Sequence, residues 1–302
     1  MTEILILLSQ LGKMAIYMVI GFILCRCNII SQRESRSISQ LLLYAVIPCV
    51  ILRSYLGIQR ERLPEVFISL ALGAAVLIIA ILLSRLLFSK HPEEQFAAAF
   101  SNAGFMGIPL ISGTLGPEHV MCISGLVALL NMLQWTYGQR LLARERVAFH
   151  WRQLVLNPLV AAYLLSFALF LLQIQLPALL SGALDAVAEC NAPLAMIVLG
   201  ISLGSTKLNM LFSKPRAWLV SAVRLLLIPA VTVVALIPIP AGYQTMKMAI
   251  LIAASAPVGA NLVIYAQKSG ADALYGARLV SLSTLLSLVS IPIAMGLAEL
   301  LW

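Results

Sequence analysis

Residues 95–111 of the chain read QFAAAFSNAGFMGIPLI, and the predicted architecture is built around them. It is apolar enough to lie in a membrane, but residues that oppose a continuous helix stand near its middle. Proline has no N–H and its ring collides with the preceding turn, while each glycine weakens a helix. Backbone freed from helical hydrogen bonds is tolerated at bilayer depth only where it is buried in protein or lines a cavity. The sequence therefore predicts a helix interrupted inside the protein, at Ser101, Asn102, Gly104, Gly107 and Pro109.

A second stretch, MAILIAASAPVGANLVIY at residues 248–265, has the same character, with Ser255, Pro257, Gly259 and Asn261 at its centre. Gly and Pro in one such stretch can also serve only close helix packing and kinks, which are common in membrane proteins. Two interrupted apolar segments in corresponding halves of a chain indicate the binding site of a transporter. The matched pair therefore favours a binding site over packing alone.

The composition indicates a polytopic membrane protein. The 302 residues are 61% hydrophobic and 11% charged, whereas soluble domains average about 45–50% apolar and about 25% charged residues. The net charge of +8 is spread between apolar segments, which argues against a nucleic-acid partner. The five cysteines and three histidines have no metal-ligand spacing, so we expect no metal and no cofactor. Neither a catalytic constellation nor a nucleotide-binding glycine loop is visible, so we expect no enzyme and no ATP-driven pump.

A membrane span needs about 20 mostly apolar residues. We place ten segments, numbered 1 to 10, at residues 3–25, 37–56, 64–88, 94–113, 118–139, 153–173, 187–205, 216–238, 244–267 and 273–301. Fourteen of the twenty Lys and Arg residues fall in loops after odd-numbered segments, and four fall in loops after even-numbered ones. Because cytoplasmic loops are enriched in Lys and Arg, this bias predicts that both termini lie outside the cell.

Ten segments divide into inverted repeats of about 1–145 and 150–302, because the sixth segment enters from the side opposite to the first. Pro48 in segment 2 and Pro193 in segment 7 are candidate kinks at corresponding positions. Segments 4 and 9 are the two interrupted stretches. The predicted fold is thus an all-α membrane protein with a 5+5 inverted repeat.

The two interruptions, if they cross, would offer helix N-termini that carry partial positive charge and bind carboxylates. The amides of Asn102 and Asn261 and the hydroxyls of Ser101 and Ser255 would add neutral hydrogen-bonding groups. Neither stretch contains Asp, Glu or His. This composition suits an organic anion better than a cation.

Other polar residues within the apolar segments are candidates for the translocation path or for ion coupling. Lys13, on a stripe with Ser9 and Gln10, is a counter-charge, an interface contact or a snorkelling lysine. Arg224 either reaches the cytoplasmic face or acts on the substrate.

Two further sets of polar residues allow more than one interpretation. Glu189, next to Asn191, is the candidate for proton coupling, with a plain interfacial carboxylate as the alternative. Asn131 and Gln134 form a polar stripe in segment 5 that either bonds neighbouring helices or lines the path.

The chain resembles the bacterial members of the auxin efflux carrier family, within the bile-acid–sodium symporter-like superfamily. The resemblance rests on SNAGFMGIP at 101–109, YAVIP at 44–48 and APVGAN at 256–261. It implies that segments 1, 2, 6 and 7 form a scaffold, often homodimeric, and that segments 3–5 and 8–10 form a moving transport domain. It also implies that segments 4 and 9 cross at Pro109 and Pro257 near the substrate. Bacterial substrates in this family include malonate- and malate-type carboxylates.

We therefore expect an inner-membrane carrier of a small organic anion that works by an elevator mechanism, either as a secondary active or as a facilitative transporter. A sodium- or proton-coupled symporter or antiporter that uses Glu189 is the alternative. A membrane sensor or binding protein that does not transport is the alternative from another class. The coupling ion, H⁺ or Na⁺, and the direction of transport stay open at this point.

Overall fold

The computed structural model describes residues 2–143, 157–206 and 211–302. These residues are nearly all helical, and among them one isolated β-bridge is the only strand-like pairing. The predicted start of segment 6 lies outside the described residues, as do His150, Arg144, Arg146, Arg152 and Lys207.

Seven helices in the described chain are long and apolar enough to cross a membrane. They are α1 (Thr2–Arg26), α2 (Gln32–Tyr55), α3 (Arg60–Phe88), α6 (Pro117–Leu142), α8 (Ala178–Ser205), α9 (Pro215–Ala235) and α12 (Ala273–Leu301). Five shorter helices complete the described chain: α4 (Pro92–Ala99), α5 (Ala103–Thr114), α7 (Pro158–Leu171), α10 (Gln244–Ser255) and α11 (Asn261–Ser269).

Two helices begin earlier than the hydropathy of the chain indicates. α2 starts at Gln32 instead of residue 37, because Ser31 and Glu34 cap each other's backbone N–H groups in a capping box. α8 starts at Ala178 instead of residue 187, and its acidic Asp185 pairs with Arg53 of α2 at 3.0 Å. The capping box thus extends α2 through polar sequence, and the ion pair joins α8 to α2.

Three helices widen into a π-helical turn that ends two residues before a proline. The turns are Leu42–Val46 before Pro48, Ala103–Gly107 before Pro109 and Val223–Leu227 before Pro229. Proline lacks an N–H and crowds the carbonyl one turn earlier, so a wider turn accommodates its ring. In α8 the helical pattern is interrupted at Cys190, three residues before Pro193.

The helices α1 and α8 pack backbone to backbone through glycine. A Cβ atom at Gly21 would collide with the main chain of Ile197, and one at Gly200 would collide with the main chain of Met18. Small residues allow this close approach between membrane helices. This pair forms the most extensive helix–helix contact in the described part of the chain.

Candidate functional site

The chain leaves the helical conformation at residues 100–102, between α4 and α5, and at residues 256–260, between α10 and α11. The two non-helical segments pair with each other, with Ser101 opposite Val258 in an antiparallel bridge. The N–H of Asn102 donates to the carbonyl of Pro257 at 2.7 Å, and the N–H of Gly259 donates to the carbonyl of Phe100 at 3.0 Å. The two non-helical segments therefore form backbone hydrogen bonds with each other. Backbone groups that are buried in an apolar environment require such hydrogen-bond partners.

A small cleft borders this pairing and brings together five of the nine predicted substrate-binding residues. They are Ser101, Asn102, Gly104, Gly259 and Asn261. α6 contributes Asn131 and Gln134, and apolar side chains including Ile47 and Leu130 form the rest of the wall. The cleft is therefore a concave, mostly apolar surface with a few converging amides, as small-molecule sites are.

The side-chain amide of Asn102, which lines the cleft, has a hydrogen-bond donor without a partner. The residue is only 6% exposed, and its Nδ2 has no hydrogen-bond partner. Leaving a buried donor unpaired costs about 1–3 kcal/mol, so such groups require an explanation. A ligand that accepts a hydrogen bond in the cleft would satisfy this amide.

The amides on the opposite wall are already engaged. Nδ2 of Asn261 donates to Oε1 of Gln134 at 2.8 Å, and Gln134 is 1% exposed. Nδ2 of Asn131 donates to the carbonyl of Val127 within its own helix at 2.9 Å. The polar stripe of α6 thus lines the cleft, and Gln134 bonds the neighbouring helix α11.

The other four predicted binding residues lie next to the cleft without lining it. Gly107 allows α5 to approach Ala253 of α10, and Pro109 is buried in the following turn. Pro257 contributes its carbonyl to the bridge, and Ser255 is buried with its hydroxyl unpartnered.

Arg224 of α9 is buried inside the protein, next to the bridge. The residue is 1% exposed. Its guanidinium donates to the carbonyls of Ala98 at 2.9 Å and Ala99 at 3.4 Å in α4, and to the carbonyl of Ala254 in α10. These carbonyls belong to the last turns of two helices and have no partner within their own helix. One side chain therefore caps both helices that end at the interruptions.

The remaining candidates for the path or for coupling do not line the cleft. Lys13 faces a separate pocket of about 300 Å³ between α1 and Gly113 of α5. Glu189 has a side chain that is 72% exposed and lies 4.0 Å from Arg53. Asn191 is buried, and its Oδ1 has no partner.

The cleft itself has a volume of about 20 Å³, which is room for roughly one water molecule. It adjoins a much larger vestibule of about 810 Å³, and the two share Leu43, Phe105, Ala260 and Asn261. The vestibule is lined by three cationic residues, Arg36, Lys268 and Arg278, and no Asp or Glu is among its described lining residues. Its charge favours negatively charged solutes.

Sequence reasoning missed two contacts that hold the site together. The buried carboxylate of Glu94 in α4 accepts two hydrogen bonds from Arg216 of α9, at 2.8 and 2.7 Å, and one from the hydroxyl of Tyr275 at 3.0 Å. Ser283 of α12 accepts the N–H of Val258 at 3.1 Å. The run of hydroxyl residues in α12 was the available signal for the second contact.

The long apolar helices and the vestibule that leads to a buried polar cleft define a multi-pass membrane transport protein. The sequence model of a family described as membrane transport protein matches residues 7–149 and 144–295. The chain belongs to this family, the auxin efflux carrier family, so the resemblance noted from its motifs is confirmed. An uncharacterized transporter of Methanothermobacter thermautotrophicus is 25% identical over 299 residues, covering 92% of this chain and 94% of that protein.

Proposed function

We propose that the protein is a secondary active or facilitative carrier of a small organic anion, a carboxylate. The observation that carries this proposal is the cleft at the paired interruptions, where the buried amide of Asn102 has no protein partner. The cleft alone has room for roughly one water molecule, so one oxygen of a carboxylate that lies mostly in the vestibule would enter it and accept that hydrogen bond. Hydrogen bonds to a charged group are stronger than neutral ones. The cationic vestibule supports the same substrate class, because it raises the local concentration of anions.

The helix termini around the cleft supply the positive potential. α5 begins at Ala103 and α11 begins at Asn261, and both starts adjoin the cleft. The first N–H groups of a helix have no partner within the helix, and each N-terminus carries about half a positive charge. Two such ends beside an open amide donor form a site for a carboxylate without any basic side chain in the cleft.

The proposed architecture has ten membrane segments in a 5+5 inverted repeat, with both termini outside the inner membrane. α4 with α5 would form segment 4, and α10 with α11 would form segment 9. Three correspondences support it: an interruption at the same place in each half, a kink-forming proline in segments 2 and 7, and the Lys and Arg bias of the loops. On this orientation the vestibule opens towards the cytoplasm, because Arg36 and Lys268 lie near the helix ends that flank the connections after segments 1 and 9.

The proposed mechanism is an elevator motion of segments 3–5 and 8–10 against a scaffold of segments 1, 2, 6 and 7. The bonds made by Arg224 and Glu94 all lie within the moving group, which supports its motion as one body. Few polar bonds cross the proposed boundary in the described chain. Two that do are the Tyr55–Ser124 hydroxyl pair at 2.8 Å and the Arg36–Gln267 bond at 2.6 Å.

Coupling through Glu189 is the alternative within this proposal. The exposed position of this carboxylate beside Arg53 supports a structural ion pair between α2 and α8 more than a proton relay. Glu189→Gln should therefore leave uptake, and its response to sodium and pH gradients, unchanged. Uptake that depends on either gradient and is abolished by Glu189→Gln would establish the coupled alternative.

A thermal-shift screen of the purified protein tests the substrate class. A ligand that binds only the folded state raises the melting temperature by mass action. We expect a dicarboxylate such as malonate to raise it and its neutral diamide, malonamide, to have no effect, with and without sodium. Stabilisation by neutral or cationic compounds only would reject the proposal. Binding without flux in liposomes would instead indicate a sensor.

A further inference from the structure

The paired interruptions present both signs of partial charge, so their geometry alone does not choose between anion and cation. The helices α4 and α10 end there with negative C-termini, and α5 and α11 begin there with positive N-termini. Each end is equivalent to about half an elementary charge. Carbonyl oxygens at such C-termini coordinate Na⁺ in other transporters with discontinuous helices. Some further feature must therefore decide which ion the site accepts.

The carbonyls at the C-terminal ends already have donors in this protein. Arg224 donates to Ala98, Ala99 and Ala254. The carbonyls of Phe100 and Pro257 accept the two backbone bonds of the bridge. A cation that entered the cleft would have to compete for these oxygens with the guanidinium of Arg224 and with the two backbone N–H groups of the bridge.

We propose that Arg224 sets the charge preference of the site: it neutralises the two C-termini and leaves the two N-termini to attract an anion. Two C-termini amount to about one negative charge, which the single charge of the guanidinium balances. No described carboxylate lies within ion-pair distance of Arg224, so no described acidic side chain neutralises its charge. This inference rests on the proposed binding of substrate at the paired interruptions. Arg224 is a positioning residue, because it acts through the helix ends and does not line the cleft.

The expected size of the effect follows from its charge. A unit charge roughly 6 Å from a carboxylate, at an effective dielectric constant of about 20, changes the dissociation constant by about 100-fold. Loss of the charge should thus weaken binding of an anion by about 100-fold. Binding of its neutral analogue should hardly change, so the ratio of the two dissociation constants reports the charge preference.

The test compares malonate with malonamide on wild type, Arg224→Lys and Arg224→Gln in detergent, by calorimetry and thermal shift. Lys247→Gln is the matched control, because Lys247 is another buried cation, donates to the carbonyl of Ile239 and does not line the cleft. We expect the malonate-to-malonamide preference to persist in Arg224→Lys and Lys247→Gln and to fall by about 100-fold in Arg224→Gln.

Each outcome bears on one of the two proposals. A preference in folded Arg224→Gln equal to that of wild type would overturn the role of Arg224 and leave the binding site intact. Wild-type protein that binds neither malonate nor any other carboxylate would overturn the proposed function and this inference with it. If Arg224→Gln does not fold, Arg224→Lys decides: a preserved preference at a lower melting temperature supports the inference, and a lost preference in the folded protein overturns it.

Discussion

Replacing Asn102 by alanine separates binding from folding, because the structure gives its side chain no bond within the protein. Its Nδ2 has no partner, and the bonds made at this position by the main chain, to Pro257 and from Met106, remain available to alanine. We therefore expect the free energy of unfolding not to fall, since no intramolecular hydrogen bond is lost, and to rise by up to about 1–3 kcal/mol, since an unpaired buried donor is removed.

Affinity for a carboxylate should respond strongly to the same change. A hydrogen bond to a charged group contributes about 1.5–3 kcal/mol, which is about 10- to 150-fold in the dissociation constant. Asn102→Asp should weaken binding further, because it places a carboxylate of nearly the same shape against the anion. Calorimetric titration of malonate and the melting temperature of the unliganded protein measure the two effects separately.

Asn131→Ala is the control for these measurements. Asn131 lines the same cleft, but its amide bonds the carbonyl of Val127. We expect it to change affinity by less than Asn102→Ala does. A fall in stability of Asn102→Ala without a change in affinity would refute the assignment of this amide to the substrate.

Three further substitutions test the surroundings of the cleft. Gly259→Ala would place a Cβ 3.2 Å from Nε2 of Gln134 and 3.3 Å from the carbonyl of Phe100, so uptake in proteoliposomes should fall. Gly242→Ala is the control, because a Cβ at Gly242 would meet no atom within 4 Å and uptake should not change. Asn261→Ala should lower the free energy of unfolding by about 1–3 kcal/mol, because buried Gln134 loses its partner; an unchanged melting temperature would contradict this. Glu94→Gln should lower the melting temperature, since Glu94 bonds Arg216. Its affinity for malonate should stay within about threefold of wild type, because Glu94 does not line the cleft. A large loss of affinity at unchanged stability would contradict the structural role of Glu94.

The chain is not helical at two short segments, whereas Gly104, Gly107 and Pro109, which the sequence placed at the first interruption, lie within the helix α5. Residues 100–102 and 256–260 lie within the two stretches singled out by their Gly, Pro, Ser and Asn residues. Propensity acts over one or two turns, so it can be read from neighbouring residues. The family could also be recognised from the sequence, because its motifs are short and local. The match of the family's sequence model confirms that membership.

Contacts between distant parts of the chain could not be predicted in this way. Arg224 bonds carbonyls 126 and 30 residues away in sequence, so hydropathy left open whether it reaches the membrane surface or the interior. The ion pair between Asp185 and Arg53 likewise joins residues on different helices, α8 and α2. Neither tertiary contact can be read from the local sequence.

Exchange of radiolabelled malonate across liposomes measures directly whether substrate binds at the paired interruptions. The wild type and the Asn102→Ala/Asn261→Ala double variant, both verified as folded and reconstituted at equal density, are compared. We expect saturable exchange by the wild type and its loss in the double variant. Exchange by the double variant at the wild-type rate would show that substrate does not use these amides.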